Sequence, residues 1–90
     1  MKKFTFIAEF RGGTYISQFK GEDIDSVIKS WVLNLDSNLF SEKIILKIKD
    51  EIINNSNIHT PVLLNGLENV WDLSFVVNRS LLLITIVETI

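Results

Sequence analysis

The side chains of this 90-residue chain that could take part in chemistry are few and scattered. His59 is the single histidine, and no cysteine is present to share a metal ion with it. Gly12-Gly13 could suggest a phosphate-binding loop, but such a loop opens a helix, and here a strand-like segment follows. No serine lies in the glycine-flanked turn of a nucleophile elbow. We therefore expect no catalytic residue, no metal ligand and no cofactor, and we interpret the chain as a protein without enzymatic activity.

Two groups of carboxylates require separate interpretations. Glu22, Asp23 and Asp25 lie close together, and carboxylates at the start of a helix favour its exposed N–H groups, so capping accounts for them. Asp72 is less ordinary, because it is a charge in the interior of a predicted strand. An outward charge of this kind protects a strand from aggregation. The alternative, that Asp72 anchors a partner, stays open.

Composition excludes several classes of function. The formal net charge is -2, and nine lysines and arginines are spread along the chain, whereas nucleic-acid binding needs a concentrated basic surface. The longest apolar run, residues 81–84, is far shorter than the ~20 residues of a membrane-spanning helix. We expect a single soluble domain over residues 1–90 that binds neither nucleic acid nor membrane. The absence of cysteine suits a cytoplasmic location.

The segment "KFTFIAEFRGGTYISQFK" predicts a β-hairpin. Gly12-Gly13 readily adopt the positive φ angles of a two-residue turn. That turn would place Arg11 opposite Thr14, and the pairs Phe10–Tyr15, Ala8–Ser17 and Phe6–Phe19 on one face. The small Ala8–Ser17 pair would leave room for a helix to approach the sheet.

The middle of the chain predicts two helices. Apolar residues at helical spacing predict the first, from about 23 to 35; they are Ile24, Val27, Ile28, Trp31, Val32 and Leu35. Ser41 is a good N-cap for the second, whose apolar stripe is Ile45, Ile48 and Ile52. Its β-branched residues leave a strand at 44–49 as the alternative.

The C-terminal segment predicts a short strand at Val62–Leu64 and a second hairpin around Asn78-Arg79. A two-residue loop there gives the pairs Val76–Leu81, Ser74–Leu83, Asp72–Thr85 and Val70–Val87. A one-residue slip stays open, and it would exchange the faces of one strand. In the pairing given, one face carries the large core side chains, and the other carries Val70, Val76, Leu81, Leu83 and Val87.

These elements predict an α+β domain in the order ββααβββ. We expect an antiparallel sheet of four to five strands, with two helices packed on one face and the last strand inside the sheet. The apolar second face of the last hairpin then needs a cover, because monomers seldom leave such a patch open. The cover would be the second helix, another copy of the chain or a different protein.

Three features together resemble a family of small bacterial immunity proteins from polymorphic toxin and contact-dependent inhibition systems. They are "FRGGTYISQ" after an opening strand, the acidic-start helix ending near Trp31, and "GLENVW" before the final hairpin. The first hairpin and helix also resemble HicB-like antitoxins, although no added DNA-binding segment is present. The immunity resemblance implies a stoichiometric inhibitor that binds one cognate toxin domain, and it carries over no binding residues.

The leading functional hypothesis is a non-catalytic protein-binding module, an immunity protein that neutralises a cognate toxin. The alternatives are a structural protein that forms homodimers through the last hairpin and a small ligand-binding domain. The expected partner-binding residues are Glu22, Asp23, Asp25, Asp72, Thr85, Leu81 and Leu83. The acidic residues among them would suit a basic nuclease toxin, since complementary charge speeds association.

Overall fold

Two β-hairpins supply four of the five strands of a single antiparallel sheet. The computed structural model describes residues 1–54, 61–64, 66 and 68–89. The strands are β1 (Lys2–Phe10), β2 (Gly13–Gly21), β3 (Val62–Leu63), β4 (Val70–Val77) and β5 (Ser80–Thr89). The helices are α1 (Ile24–Leu33) and α2 (Glu42–Lys49), and a π-helical turn, Asp50–Asn54, continues α2. The predicted α+β class and the ββααβββ order are both confirmed.

The strand order across the sheet is β2-β1-β5-β4-β3. The last strand, β5, therefore lies in the centre, between β1 and β4, as predicted. A central strand has neighbours on both sides, which favours the β-branched and large apolar side chains found along β5. The outer strands are β2 and the short β3.

The predicted register of the first hairpin is wrong by two residues. Phe10 pairs with Gly13, Ala8 with Tyr15, and Phe6 with Ser17, so the loop is Arg11-Gly12 and not Gly12-Gly13. Both loop residues have positive φ, 49° and 81°. In this conformation Arg11 Nε donates to Ser80 Oγ (2.9 Å) and Arg11 Nη2 donates to the Asn78 carbonyl (3.0 Å). These bonds offset the strain of a non-glycine residue in the left-handed region.

The error in register leaves the faces of the hairpin unchanged, because side chains alternate with a period of two residues. Phe6, Ala8 and Phe10 still point to the same side as Tyr15 and Phe19. The small Ala8–Ser17 pair does not exist, however. Ala8 lies between Tyr15 and Ile84 instead, and Ser17 lies beside Phe6.

The predicted register of the last hairpin is confirmed at every pair. The structure pairs Val76 with Leu81, Ser74 with Leu83, Asp72 with Thr85 and Val70 with Val87. Asn78 and Arg79 form the loop with φ of 49° and 69°, the positive values that a type I′ turn requires. The one-residue slip is thereby excluded.

Both predicted helices are present. Asp23 caps α1, with the Ser26 backbone N–H donating to Asp23 Oδ1 at 2.8 Å, and α1 ends two residues before the predicted limit. Ser41 caps α2, as its Oγ accepts from the Ile44 N–H at 3.3 Å. The alternative strand at 44–49 is wrong, because the apolar spacing of this segment is satisfied by a helix packed on the core.

The hydrophobic core lies between the helices and one face of the sheet. Trp31 of α1 stacks on Phe6 of β1, with ring centroids 5.8 Å apart and planes at 6°. Phe40, before α2, contacts the rings of Phe10 and Tyr15. The buried side chains of α2 belong to the same core cluster; they are Ile44, Ile45 and Ile48. Both helices therefore cover this inner face, and α2 does not cover the other one.

Candidate functional site

The face of the sheet that points away from the helices is the main candidate surface, and we call it the outer face. Successive strand residues alternate between the two faces, so strand parity defines its members. The outer face carries Lys3, Thr5, Ile7, Glu9, Thr14, Ile16, Gln18, Lys20, Val62, Val70, Asp72, Ser74, Val76, Leu81, Leu83, Thr85, Val87 and Thr89. Side chains from all five strands thus form one continuous surface.

Several large apolar side chains of the outer face are open to solvent. The exposed fraction is 68% for Ile16, 65% for Val76, 61% for Val62 and 58% for Leu81. They come from four different strands, so the exposure extends across the whole sheet. Isolated exposed apolar residues are normal, whereas a set spread over one flat surface is typical of an interaction site.

Four of the seven predicted partner-binding residues lie on the outer face. Asp72 and Thr85 are direct cross-strand partners in β4 and β5. Leu81 and Leu83 lie further along β5, where they line an open depression of about 320 Å³ together with Glu9 and Thr14. The structure therefore brings these four predicted residues onto one surface and adds Glu9, which no sequence pattern had indicated as a binding residue.

The other three predicted residues belong to the helix layer. Glu22 and Asp23 precede α1, and Asp25 is in its first turn. Asp23 has a structural task, because the hydrogen bond from the Ser26 backbone N–H holds the pKa of its carboxyl below the ordinary value of 3.8. The Ser26 side chain and the charges of Lys2 and Lys29 lower this pKa further. The structure thus separates the acidic group from the outer-face residues, so the two form no common site.

On β1 and β2, the charges of the outer face are sorted along the strands. Lys3 and Lys20 lie directly opposite each other at one end. Glu9 lies on β1 near the other end, next to Thr14 and Leu83. Among the described residues, none of these three charged groups takes part in a hydrogen bond or an ion pair. One end of β1 and β2 is therefore basic on this face, and the opposite end of β1 is acidic.

A groove beside the edge strand β2 is a second surface feature. Its volume is about 470 Å³, and it runs between β2 and the segment that joins α1 to α2. Aromatic and aliphatic side chains line much of it, including Phe19, Trp31, Leu35, Leu39 and Phe40. The groove could not be predicted from the sequence, because it depends on how residues 34–40 pass beside β2, and no periodic pattern determines that path.

Nothing in the described part of the chain assembles a chemical centre. No group of three or more His, Asp or Glu side chains there is placed to hold a metal ion. His59, the one histidine, lies outside the described residues. No side-chain polar atom in the described ranges is buried without a hydrogen-bond partner. The described core therefore contains no unpaired polar group that could bind a ligand.

Fold and surface together define a class: a two-layer α+β domain with helices on one face of an antiparallel sheet. The other face carries exposed aliphatic side chains among polar ones, and no described element covers it. No family model matches the chain, and neither curated proteins nor solved structures give a match. Over the described ranges, no helix combines the length and apolar character needed to cross a membrane.

Proposed function

We propose that this chain is a non-catalytic protein-binding module that docks on other polypeptides through its outer face. One observation carries the proposal. The sheet buries Phe6, Leu82 and Ile84 completely on its inner face, yet on the outer face it leaves Leu81 and Ile16 more than half exposed. Because the helices occupy one side only, a protein surface is the natural complement of the other side.

The composition of the outer face suits a specific and reversible contact. Threonines and a glutamine alternate with the aliphatic residues, and Gln18 Nε2 donates to Thr5 Oγ1 at 2.9 Å. Interfaces between separately stable proteins have this mixed character, with apolar anchors surrounded by polar groups. Buried apolar area is worth about 25 cal/mol per Å², so the exposed aliphatic side chains supply the driving force and the polar ones supply the selectivity.

Asp72 fits this function as an anchor within the apolar surface. It is half-buried beside Thr85, and it makes no hydrogen bond or ion pair with the described residues. While it is hydrated, a carboxylate in this position costs little free energy of folding. A partner that buries the carboxylate without donating a hydrogen bond to it binds more weakly, so Asp72 selects against such partners.

The immunity-type role is the more specific form of the proposal. In that form the chain is a bacterial cytoplasmic protein, and the partner is a cognate toxin domain that it blocks by stoichiometric binding. Support comes from the resemblance carried by "FRGGTYISQ", the helix that ends near Trp31 and "GLENVW". An open protein-binding face is what such an inhibitor requires.

A capture experiment with matched surface variants tests the proposal. Tagged wild-type chain, Leu81→Lys and Leu33→Lys are incubated with an extract of the native host to which untagged chain has been added. Leu81 and Leu33 are exposed to similar extents, 58% and 64%, but Leu81 lies on the outer face and Leu33 at the end of α1. We expect Leu81→Lys to lose the captured protein and Leu33→Lys to retain it. Equal capture by both variants would contradict the proposal.

Self-association is the second candidate function, and the sorted charges of β1 favour it. A surface whose two ends carry opposite charges is complementary to itself when it is turned through half a rotation.

A further inference from the structure

We infer that the free edge of β2 and the groove beside it form a second docking site, which binds an extended polypeptide segment with large apolar side chains at alternate positions. The bound segment adds a strand to the sheet next to β2. This site is separate from the outer face, so the inference goes beyond the proposed function and does not depend on it.

The backbone of β2 determines the kind of partner. Its one neighbour among the described strands is β1, so every second residue of β2 directs its N–H and C=O groups away from the sheet. Phe10 and Gly13, which flank the two-residue loop, form a hydrogen-bonded pair. Counting from this pair, the residues with outward backbone groups are Thr14, Ile16, Gln18 and Lys20. No hydrogen bond joins these outward groups to any described residue, and an extended chain is the ligand that pairs with such a row.

The length of β2 distinguishes this edge from the opposite one. β2 has nine residues, whereas the described strand β3 at the other edge has two. Proteins protect an open edge with short strands, prolines, bulges or charged side chains. β2 contains no proline, its pairing with β1 is continuous from Gly13 to Gly21, and Lys20 is its single charged residue. The edge is therefore open to pairing along most of its length.

The groove of about 470 Å³ receives side chains of the added strand. Strand side chains alternate between two faces, so every second side chain of the segment points to the same side as Tyr15 and Phe19. Both rings are partly exposed, and they line the groove together with Leu35 and Leu39. The segment therefore pairs its backbone with β2 and places alternate side chains on an apolar surface.

The wall of the groove opposite β2 is held by local contacts. The Asp36 carbonyl accepts hydrogen bonds from the backbone N–H groups of Leu39 and Phe40, each at 3.0 Å. The ring of Phe40 packs on Tyr15, with the ring centroids 4.7 Å apart. The groove is thus formed before a ligand binds, which reduces the entropic cost of binding.

The polar groups of the groove favour an apolar ligand, because they already take part in local hydrogen bonds. Asn34 Nδ2 donates to the Ser30 carbonyl, and Asp36 Oδ1 accepts from the Asn38 backbone N–H, each at 2.8 Å. Leu39, in contrast, is 55% exposed. A ligand side chain that covers Leu39 removes apolar surface from water.

A second copy of the chain fits this edge less well than a single segment. Pairing of two β2 strands about a two-fold axis perpendicular to the sheet keeps both helix layers on the same side. Residues 34–40 of the two protomers would then meet in the space beside β2. A single extended segment brings no second layer, so it reaches the groove without this overlap.

A peptide selection provides the probe. Random peptides of about nine residues, the length of β2, are displayed on phage and selected on the wild-type chain. We expect the enriched peptides to carry large apolar residues at alternate positions. Backbone N-methylation of a synthetic enriched peptide should weaken binding about tenfold at one set of alternate positions and be tolerated at the other, because only every second N–H of an added strand faces β2.

Variants of the chain locate the binding site. Ile16→Pro removes an outward N–H group, a change that an edge strand tolerates, and its control, Ile16→Ala, keeps that N–H. Leu39→Lys places a charge at the groove, and its control is Leu46→Lys, since Leu46 is 66% exposed on α2. We expect Ile16→Pro and Leu39→Lys to weaken peptide binding about tenfold in calorimetry, while both controls bind within about twofold of wild type.

Four results would overturn the inference: no enriched peptide, equal effects of N-methylation at both sets of positions, equal binding by Leu39→Lys and Leu46→Lys, or a wild-type dimer that Ile16→Pro dissociates. The last result would assign the edge to a second copy. If Ile16→Pro does not fold in urea unfolding, the N-methyl series and the Leu39 variant still test the site. Loss of peptide binding in Leu81→Lys, with Leu39→Lys unaffected, would contradict this inference and support the outer face. Failure of the edge site and failure of the proposed function are therefore distinguishable.

Discussion

Leu81 and Leu82 are neighbours in β5, yet Leu82 is completely buried and Leu81 is 58% exposed. The run Leu81–Ile84 therefore does not make one uniformly buried strand. Alternate residues face the helix layer and the outer face, so the same four residues build the core and contribute to the candidate docking surface.

Alanine substitutions at Leu81 and Leu82 should change the free energy of unfolding by different amounts, because the two side chains lie on opposite faces of the sheet. Leu82→Ala should lower the free energy of unfolding by about 2–5 kcal/mol, because it leaves a cavity between the sheet and the helices. Leu81→Ala should change it by less than about 0.5 kcal/mol at concentrations where the chain is monomeric. Urea unfolding measures both, and equal losses would show that the outer face is covered within the protomer.

The contact between β2 and α1 gives a second prediction. A Cβ atom added at Gly21 would lie 2.5 Å from Cγ1 of Val27, and Val27 is completely buried. Gly21→Ala should therefore cost about 1–3 kcal/mol of stability through overpacking. Val27→Ala removes the obstructing methyl group, so the double variant should lose less than the sum of the single losses, by about 1 kcal/mol. A strictly additive result in urea unfolding would contradict this contact.

The N-cap of α1 predicts a pH dependence of stability. The folded state holds the pKa of Asp23 below 3.8, so the ionised cap favours folding. Its contribution is fully present above the unfolded pKa and is lost as the pH falls through the lower, folded pKa. Asp23→Asn keeps a capping side chain without a titrating charge. Melting temperatures measured between about pH 2 and pH 7 should therefore fall less steeply at acid pH in this variant than in wild type; parallel curves would exclude the charged cap as a stabilising group.

Periodicity was sufficient to predict most of the fold. The apolar spacing of residues 24–35 and the alternation along β4 predicted α1 and the last hairpin, since both patterns reflect which side chains leave water. The register of the first hairpin was not predictable in this way. Two adjacent glycines favour a turn at either of two positions, and the choice depends on the Arg11 bonds to Ser80 and Asn78, which join residues far apart in sequence.

The candidate site was predictable to a similar degree. Side chains alternate between the two faces of a strand, so the predicted register of the last hairpin already placed four of the candidate residues on one face. They are Asp72, Leu81, Leu83 and Thr85. Glu9 and the basic pair of Lys3 with Lys20 were missed, because they join the same surface only through the pairing of β1 with β5 and β2. The capping role predicted for the acidic group Glu22, Asp23 and Asp25 is confirmed for Asp23, whereas the suggestion that the same group joins a partner-binding site with Asp72 is not supported, because the group lies in the helix layer.

The most direct test of the outer face as docking surface is the solvent exposure of individual methyl groups in the bound state. Methyl NMR with a soluble paramagnetic probe reports this exposure, using the chain alone and with a captured partner in excess. We predict that the methyl signals of Leu81 become protected relative to the dilute free chain, while those of Leu33 on α1 stay accessible. Protection of Leu33 with Leu81 still open to the probe would contradict the account, because it would place the interface on the helix layer.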